Sequence, residues 1–188
     1  MTKRMFIALD ISKADKVKVA QWRKIYLPRP FKVINEENFH ITLAFLGLIN
    51  QQQQVSITAV INQQHSLIQQ QLQLLLSQKL ALPITLSAVG YFKKAQVLHL
   101  MPPNCPNWLA YLNNVMINSC RNVGIPIENR IYKPHLSIYR KAKMSSPKSS
   151  EENIAVELQL NIRSFSLYQS YSTPLGVHYE PIQTWEIN

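Results

Sequence analysis

One ten-residue segment constrains this chain more than any other: Asn38-Phe39-His40-Ile41-Thr42-Leu43-Ala44-Phe45-Leu46-Gly47. It reads as a strand, with Ile41, Leu43 and Phe45 on one face and His40, Thr42, Ala44 and Leu46 on the other. His40 and Thr42 then stand side by side, about 7 Å apart at the backbone. A second segment repeats the arrangement: Tyr132-Lys133-Pro134-His135-Leu136-Ser137-Ile138-Tyr139-Arg140. Again a hydroxyl follows a histidine at the second position, with apolar Leu136 and Ile138 between. The two histidines are 95 residues apart, about half the chain. The repeat predicts two similar halves, each giving one His-x-Thr/Ser pair to a shared site.

A single histidine in a strand is most often structural, so neither segment alone carries much. Occurring twice, with the hydroxyl at the same offset, they carry a chemistry. Hydrolysis by displacement needs a base to take a proton from water and an acid to protonate the leaving group. Imidazole, with an unperturbed pKa near 6.5, can do either at neutral pH. Two histidines on opposite sides of a reacting centre suit in-line displacement. The hydroxyls of Thr42 and Ser137 can donate hydrogen bonds where negative charge builds.

The residues Asn38-x-His40-x-Thr42-Leu43-x-Phe45-Leu46-Gly47, with Pro134-His135-x-Ser137 and the trailing Arg140, resemble the two-histidine phosphoesterase superfamily. Within it they are most similar to the bacterial RNA 2′,3′-cyclic phosphodiesterases, also called 2′-5′ RNA ligases. Ser137 stands where that family more often carries threonine, and the glutamine-rich stretch after Asn50 looks longer than usual. The resemblance implies an α+β fold of two pseudo-symmetric lobes, each an antiparallel sheet with helices on its outer face. The cleft between the sheets would hold both motifs. It also implies metal-independent hydrolysis of RNA 2′,3′-cyclic phosphate ends to 2′-phosphate, with reversible 2′-5′ ligation as the reverse reaction. His40 and His135 would be the catalytic pair, with His40 as acid on the 3′ oxygen and His135 as base for water. Thr42, Ser137 and Arg140 would bind the phosphate. Two other readings keep the site. One changes the substrate to 2′-5′ oligoadenylates or small cyclic nucleotides. The other is a binding module without turnover, against which both intact His-hydroxyl pairs count. Neither a cofactor nor a metal is expected: no acids cluster near either histidine, and no third ligand stands at a recognisable spacing.

A length of 188 residues and 46% apolar content fit one domain of two lobes, residues 1–188, with a real core. Twenty basic residues against ten acidic give a formal charge of +10, which favours a polyanionic partner. RNA with 2′,3′-cyclic ends, tRNA fragments among them, or cyclic nucleotides are the partners expected of a monomer. No run of eighteen apolar residues implies a membrane span. The N-terminus passes directly into a strand-like run, which points to the cytoplasm rather than to secretion. Cys105 and Cys120 read as free thiols.

Along the chain, Met5–Asp10 reads as a central strand and Ser12 as a helix cap with Asp15 three residues on. Ala14, Val17, Trp22 and Ile25 are expected to share that helix's core face. Phe31–Ile34 is a short strand, and Gly47 is expected to end the first motif strand. Asn50 caps one long helix or two short ones over Gln51–Leu76, with Val55, Ala59, Ile61, Ile68, Leu72 and Leu75 among the apolar positions. Leu82–Ala88 alternates as a strand, Gly90–Lys94 reads as a turn and Val97–Met101 as the return. Trp108–Val123 is an amphipathic helix stopped by Gly124. Lys141–Asn153 reads as a mobile loop, followed by strands over 162–170 and 177–187. His65, His99 and His178 lack a partner hydroxyl and read as packing or exposed residues. Phe6, Tyr132 and Tyr139 are candidates for base stacking, but core packing is the commoner use of a strand aromatic.

Overall fold

The computed structural model describes residues 1–75, 82–143, 155–174 and 176–187. Strand β1 (Thr2–Asp10) carries the apolar run Met5–Leu9, buried along its length. Such a run suits a strand covered on both faces, and β1 lies inside the sheet. Ser12 Oγ accepts the Asp15 N–H at 3.1 Å and opens helix α1 (Lys13–Tyr26). The buried stripe of α1 is Val19, Trp22 and Arg23, at i, i+3 and i+4. Val17 and Ile25 fall outside it and are exposed, which corrects the core face expected from the sequence.

Strand β2 (Lys32–Val33) and a 3₁₀ turn at Glu36–Asn38 lead into β3 (His40–Asn50). Gly47 does not end β3; its positive φ of 71° is absorbed inside the strand, opposite Met5. Helix α2 (Gln51–Leu75) is one continuous element. A reciprocal capping box starts it, Asn50 Oδ1 accepting the Gln53 N–H at 2.9 Å and Gln53 Oε1 accepting the Asn50 N–H at 3.1 Å. Glutamine is a good helix former, so the tract needs only the buried stripe Ile57, Ile61, Ile68 and Leu72 to hold it down. Val55 and Leu75 are exposed.

Strand β4 (Leu82–Leu86) pairs with β8 (Leu158–Ile162) in a small separate sheet. The residues read as a turn at Gly90 belong to β5 (Ala88–Phe92), and the turn to β6 (Val97–Met101) falls later, at 93–96. Helix α3 (Asn107–Asn122) stops before Gly124, whose φ is 72°. Strand β7 (Leu136–Arg140) carries the second motif, and β9 (Ser164–Thr173) and β10 (Gly176–Glu186) close the chain. Most of the loop expected over 141–153 lies outside the described residues.

The α+β, two-lobed arrangement is present in this form: β10-β9-β1-β3 is one antiparallel ladder, and β7-β6-β5, with β2 on the far edge of β7, is the other. They are linked at one residue pair, Ile41 opposite Leu136, so the lobes meet along a seam between the two motif strands. Helices α2 and α3 pack on each other and on β3, and α1 packs beside β8. The helices cover one face of the motif strands, and the opposite face carries the site.

Candidate active site

Ile41 and Leu136 are both fully buried, so His40, Thr42, His135 and Ser137 share the other face. The seam joins the two motifs at that pair, so both imidazoles and both hydroxyls lie on one face, with His135 close enough to act on the His40 ring. All four residues are half-buried.

Each ring is anchored in the same way. Nδ1 of His40 lies 2.7 Å from the Asn38 carbonyl oxygen, and Nδ1 of His135 lies 2.8 Å from that of Lys133. A carbonyl only accepts, so Nδ1 carries the proton in both rings and Nε2 keeps its lone pair. Burial holds His40 well below the usual imidazole range, at about 4, with the neighbouring His135 adding to the depression. Burial also lowers His135, and Arg130 pushes the same way. Both rings are neutral at neutral pH without substrate.

Arg140 is five residues from His135, an odd offset that simple alternation sends to the helix-covered face. A β-bulge reverses this. The β6–β7 register passes from His99 opposite Ser137 to Leu98 opposite Tyr139, leaving Ile138 as the extra residue. Ile138 and Tyr139 are both buried, and Arg140 returns to the site face. Its guanidinium reaches across to β10, where a Cβ on Gly176 would lie 3.8 Å from Nη2. Its Nε is buried with no hydrogen-bond partner among the described residues. A bulge also explains Phe45. The β1–β3 register passes from Ala8 opposite Thr42 to Ile7 opposite Ala44, leaving Leu43 as the extra residue. Phe45 therefore leaves the face of Ile41 and Leu43 and is 46% exposed, a correction to the alternation read from the sequence.

His99, set aside on sequence grounds, is part of the site wall. It is 3% exposed. Its ring stacks on Phe92 at 4.0 Å and meets His135 edge-on at 5.2 Å. Space for it exists because residue 90 is glycine: a Cβ there would overlap the imidazole. The missed signal was the pairing of β6 with β7, which sets His99 opposite Ser137. On the other side, Phe6 stacks on Tyr168 and lies 4.9 Å from the His40 ring, and Tyr179 meets that ring edge-on at 5.1 Å. Tyr132 donates to the Thr42 carbonyl at 3.0 Å, while Tyr139 points away from the site to the Leu27 carbonyl. Asp10 is the acid nearest His40 in register. Both of its carboxylate oxygens already accept, from Ser164, Ser166 and Tyr168 at 2.6, 2.8 and 2.6 Å, so it is committed to structure. His65 is held by the Glu186 carbonyl and His178 lies against Tyr171, both outside the site. Among the described residues, no group of three or more His, Cys, Asp or Glu side chains could hold a metal ion.

The profile of the AKAP7 2′5′ RNA ligase-like domain family matches residues 18–173. The chain belongs to this family. An RNA 2′,3′-cyclic phosphodiesterase of Methanocaldococcus jannaschii is 25% identical to it, over 97% of this chain and 99% of the relative. The enzyme of the same description from Escherichia coli is 23% identical, over 98% of this chain and 96% of the relative. Among solved structures, E. coli LigT complexed with 3′-AMP superposes with a TM-score of 0.81 at 20% identity, covering 99% of this chain and 98% of that one. The protein TT0787 of Thermus thermophilus superposes at 0.73 with 19% identity, covering 98% and 97%. The antiparallel fold is thus shared with these two solved structures over nearly their whole length.

Proposed function

We propose that residues 1–188 form one two-lobed enzyme that hydrolyses RNA 2′,3′-cyclic phosphate ends to 2′-phosphates, with 2′-5′ joining as the reverse reaction. The observation that carries this reading is the pair of imidazoles, each with Nδ1 locked on a carbonyl and Nε2 left free, beside two hydroxyls on one face. The two full-length relatives named RNA 2′,3′-cyclic phosphodiesterase support the substrate class.

In this reading the cyclic phosphate sits over the seam. His135 Nε2 takes a proton from water, and His40, once protonated, delivers one to the 3′ oxygen as its bond to phosphorus breaks. That role requires His40 to rise from about 4. The phosphate's negative charge does this, since an anion beside an imidazole favours its protonated form. Thr42 and Ser137 donate to the non-bridging oxygens, and Arg140 supplies a permanent charge, its buried Nε without a hydrogen-bond partner among the described residues. The enzyme acts as a monomer, in the cytoplasm, on RNA ends such as those of tRNA fragments. No helix of the described residues is long and apolar enough to cross a membrane. Purified protein in EDTA is expected to open a 2′,3′-cyclic mononucleotide and a 2′,3′-cyclic oligonucleotide, leaving 2′-phosphates. Absence of turnover on both, or 3′-phosphate products, would overturn the proposal.

A further inference from the structure

The two motif strands are joined by one ladder pair, Ile41 opposite Leu136, although β3 runs on to Asn50 and β7 to Arg140. Thr42 stands directly beside that pair, and on its other side is the bulge residue Leu43. A bulge disrupts the ladder locally, so strand pairing alone fixes Thr42 poorly. Two side chains take over. Asn113 of α3 donates to the Leu43 carbonyl at 2.6 Å, and Tyr132 donates to the Thr42 carbonyl at 3.0 Å. Tyr132 belongs to the lead-in to β7, three residues before His135, so its hydrogen bond crosses the seam from one motif to the other. The next residue, Lys133, gives the carbonyl that orients His135. One two-residue segment therefore holds the backbone of the first motif with a side chain and the ring of the second with a carbonyl.

We infer that Tyr132 is a positioning residue: its hydroxyl fixes the Thr42 backbone relative to His135, and so sets where the Thr42 hydroxyl meets the phosphate. The inference rests on the phosphodiesterase reading of the site. The Tyr132 ring packs against the core, so the phenol oxygen is held at one place rather than swinging with a flexible side chain. Burial pushes this hydroxyl well above its usual range, which keeps it protonated and a donor across the pH range in which histidines work. Phenylalanine would fill the same space but leave the Thr42 carbonyl without this donor. A hydrogen-bond donor helps a developing charge only when it is well placed, and a misplacement of about 1 Å can cost ~10²-fold in rate. Ser137 needs no such tie, because it lies within β7 and is paired with His99 of β6. The effect of the Tyr132 hydroxyl is therefore confined to the Thr42 donor.

The test is turnover of 2′,3′-cyclic AMP after Tyr132→Phe, which removes one oxygen and keeps the ring. The change is made in three backgrounds, wild type, Thr42→Ala and Ser137→Ala, each checked for folding. In the wild-type background kcat is expected to fall about 10-fold, within the span of such a misplacement. KM should stay unchanged, because the weakened interaction belongs to the transition state. In the Ser137→Ala background the same change should cost the same factor. In Thr42→Ala no hydroxyl remains to be placed, and the further loss should be about 2-fold or less, since residues that act as a unit do not add. A tyrosine that merely supports the fold would cost the same factor in all three backgrounds. That result, or a wild-type kcat for Tyr132→Phe, would overturn the inference while leaving the phosphodiesterase reading standing. A wild-type protein that does not open 2′,3′-cyclic AMP would overturn both.

Discussion

A carbonyl two residues upstream sets the protonation pattern of each motif histidine, and that small contact decides what the ring can do. With Nδ1–H engaged at Asn38 and Lys133, the nitrogen that keeps its lone pair in both lobes is Nε2. Such an arrangement predicts a difference between two pH profiles. The kcat/KM profile reports the free enzyme, in which burial holds His40 at about 4. The kcat profile reports the complex, in which the substrate anion raises it. The basic limb of kcat should therefore lie at higher pH than that of kcat/KM, and coincident limbs would show that the anion does not charge the acid. Thr42→Ala and Ser137→Ala should each cost on the order of 10–10³-fold in kcat, the loss of one donor to the transition state. Arg140→Ala should weaken inhibition by inorganic phosphate; unchanged inhibition would remove Arg140 from the phosphate site. The His-x-hydroxyl spacing was legible because side-chain direction in a strand has period two. The reason Arg140 belongs with His135 was not, since periodicity places it on the wrong face until the bulge at Ile138 is known.

Elements with one clean stripe were read well from sequence, and elements that depend on a distant partner were not. Helix α2 could be placed from its aliphatic residues among glutamines, and its cap from Asn50. The core face of α1 was misread because apolar Val17 and Ile25 flank the stripe that Val19, Trp22 and the polar Arg23 form. Arg23 is buried because its guanidinium satisfies the Ile34 and Ile138 carbonyls and lies over the rings of Phe39 and Tyr139. No local pattern announces that role. The β-bulges and the His99–Gly90 contact likewise depend on which strands pair. Gly90→Ala places a methyl group into the His99 ring. It should destabilise the protein by about 1–3 kcal/mol, as overpacking does. Combined with His99→Ala it should cost less than the two changes add up to. Denaturant midpoints of the four proteins measure this, and strict additivity would mean that the two residues do not touch.

At the scale of the molecule, three histidines around the site, His99 buried and His40 and His135 half-buried, make the fold sensitive to acid. His40 and His99 both sit at about 4, each lowered mainly by burial, and His135 is lowered in the same way. The unfolded chain binds protons at these positions from pH about 6.5 downward, and the native state does not. Their contribution to stability is fully present above about pH 6.5 and is lost as pH falls toward 4. For His99, which is almost fully buried, the loss is on the order of 2–3 kcal/mol. His99→Leu should flatten the melting temperature between pH 7 and 4.5, and an unchanged slope would contradict the assignment. The +10 charge should make the affinity for cyclic-ended RNA fall steeply with salt, whereas a flat response would deny phosphate contacts a part in binding.

The proposed hydrolysis requires His40 and His135 to act in one displacement. Turnover of a 2′,3′-cyclic nucleotide by wild type, His40→Ala, His135→Ala and the double variant, each folded and in EDTA, tests it most directly. Each single change should cost about 10²–10⁴-fold. The double variant should be little worse than either, because losing one partner already disables the shared step. Near-normal turnover by either single variant, or loss of wild-type activity in EDTA, would contradict it.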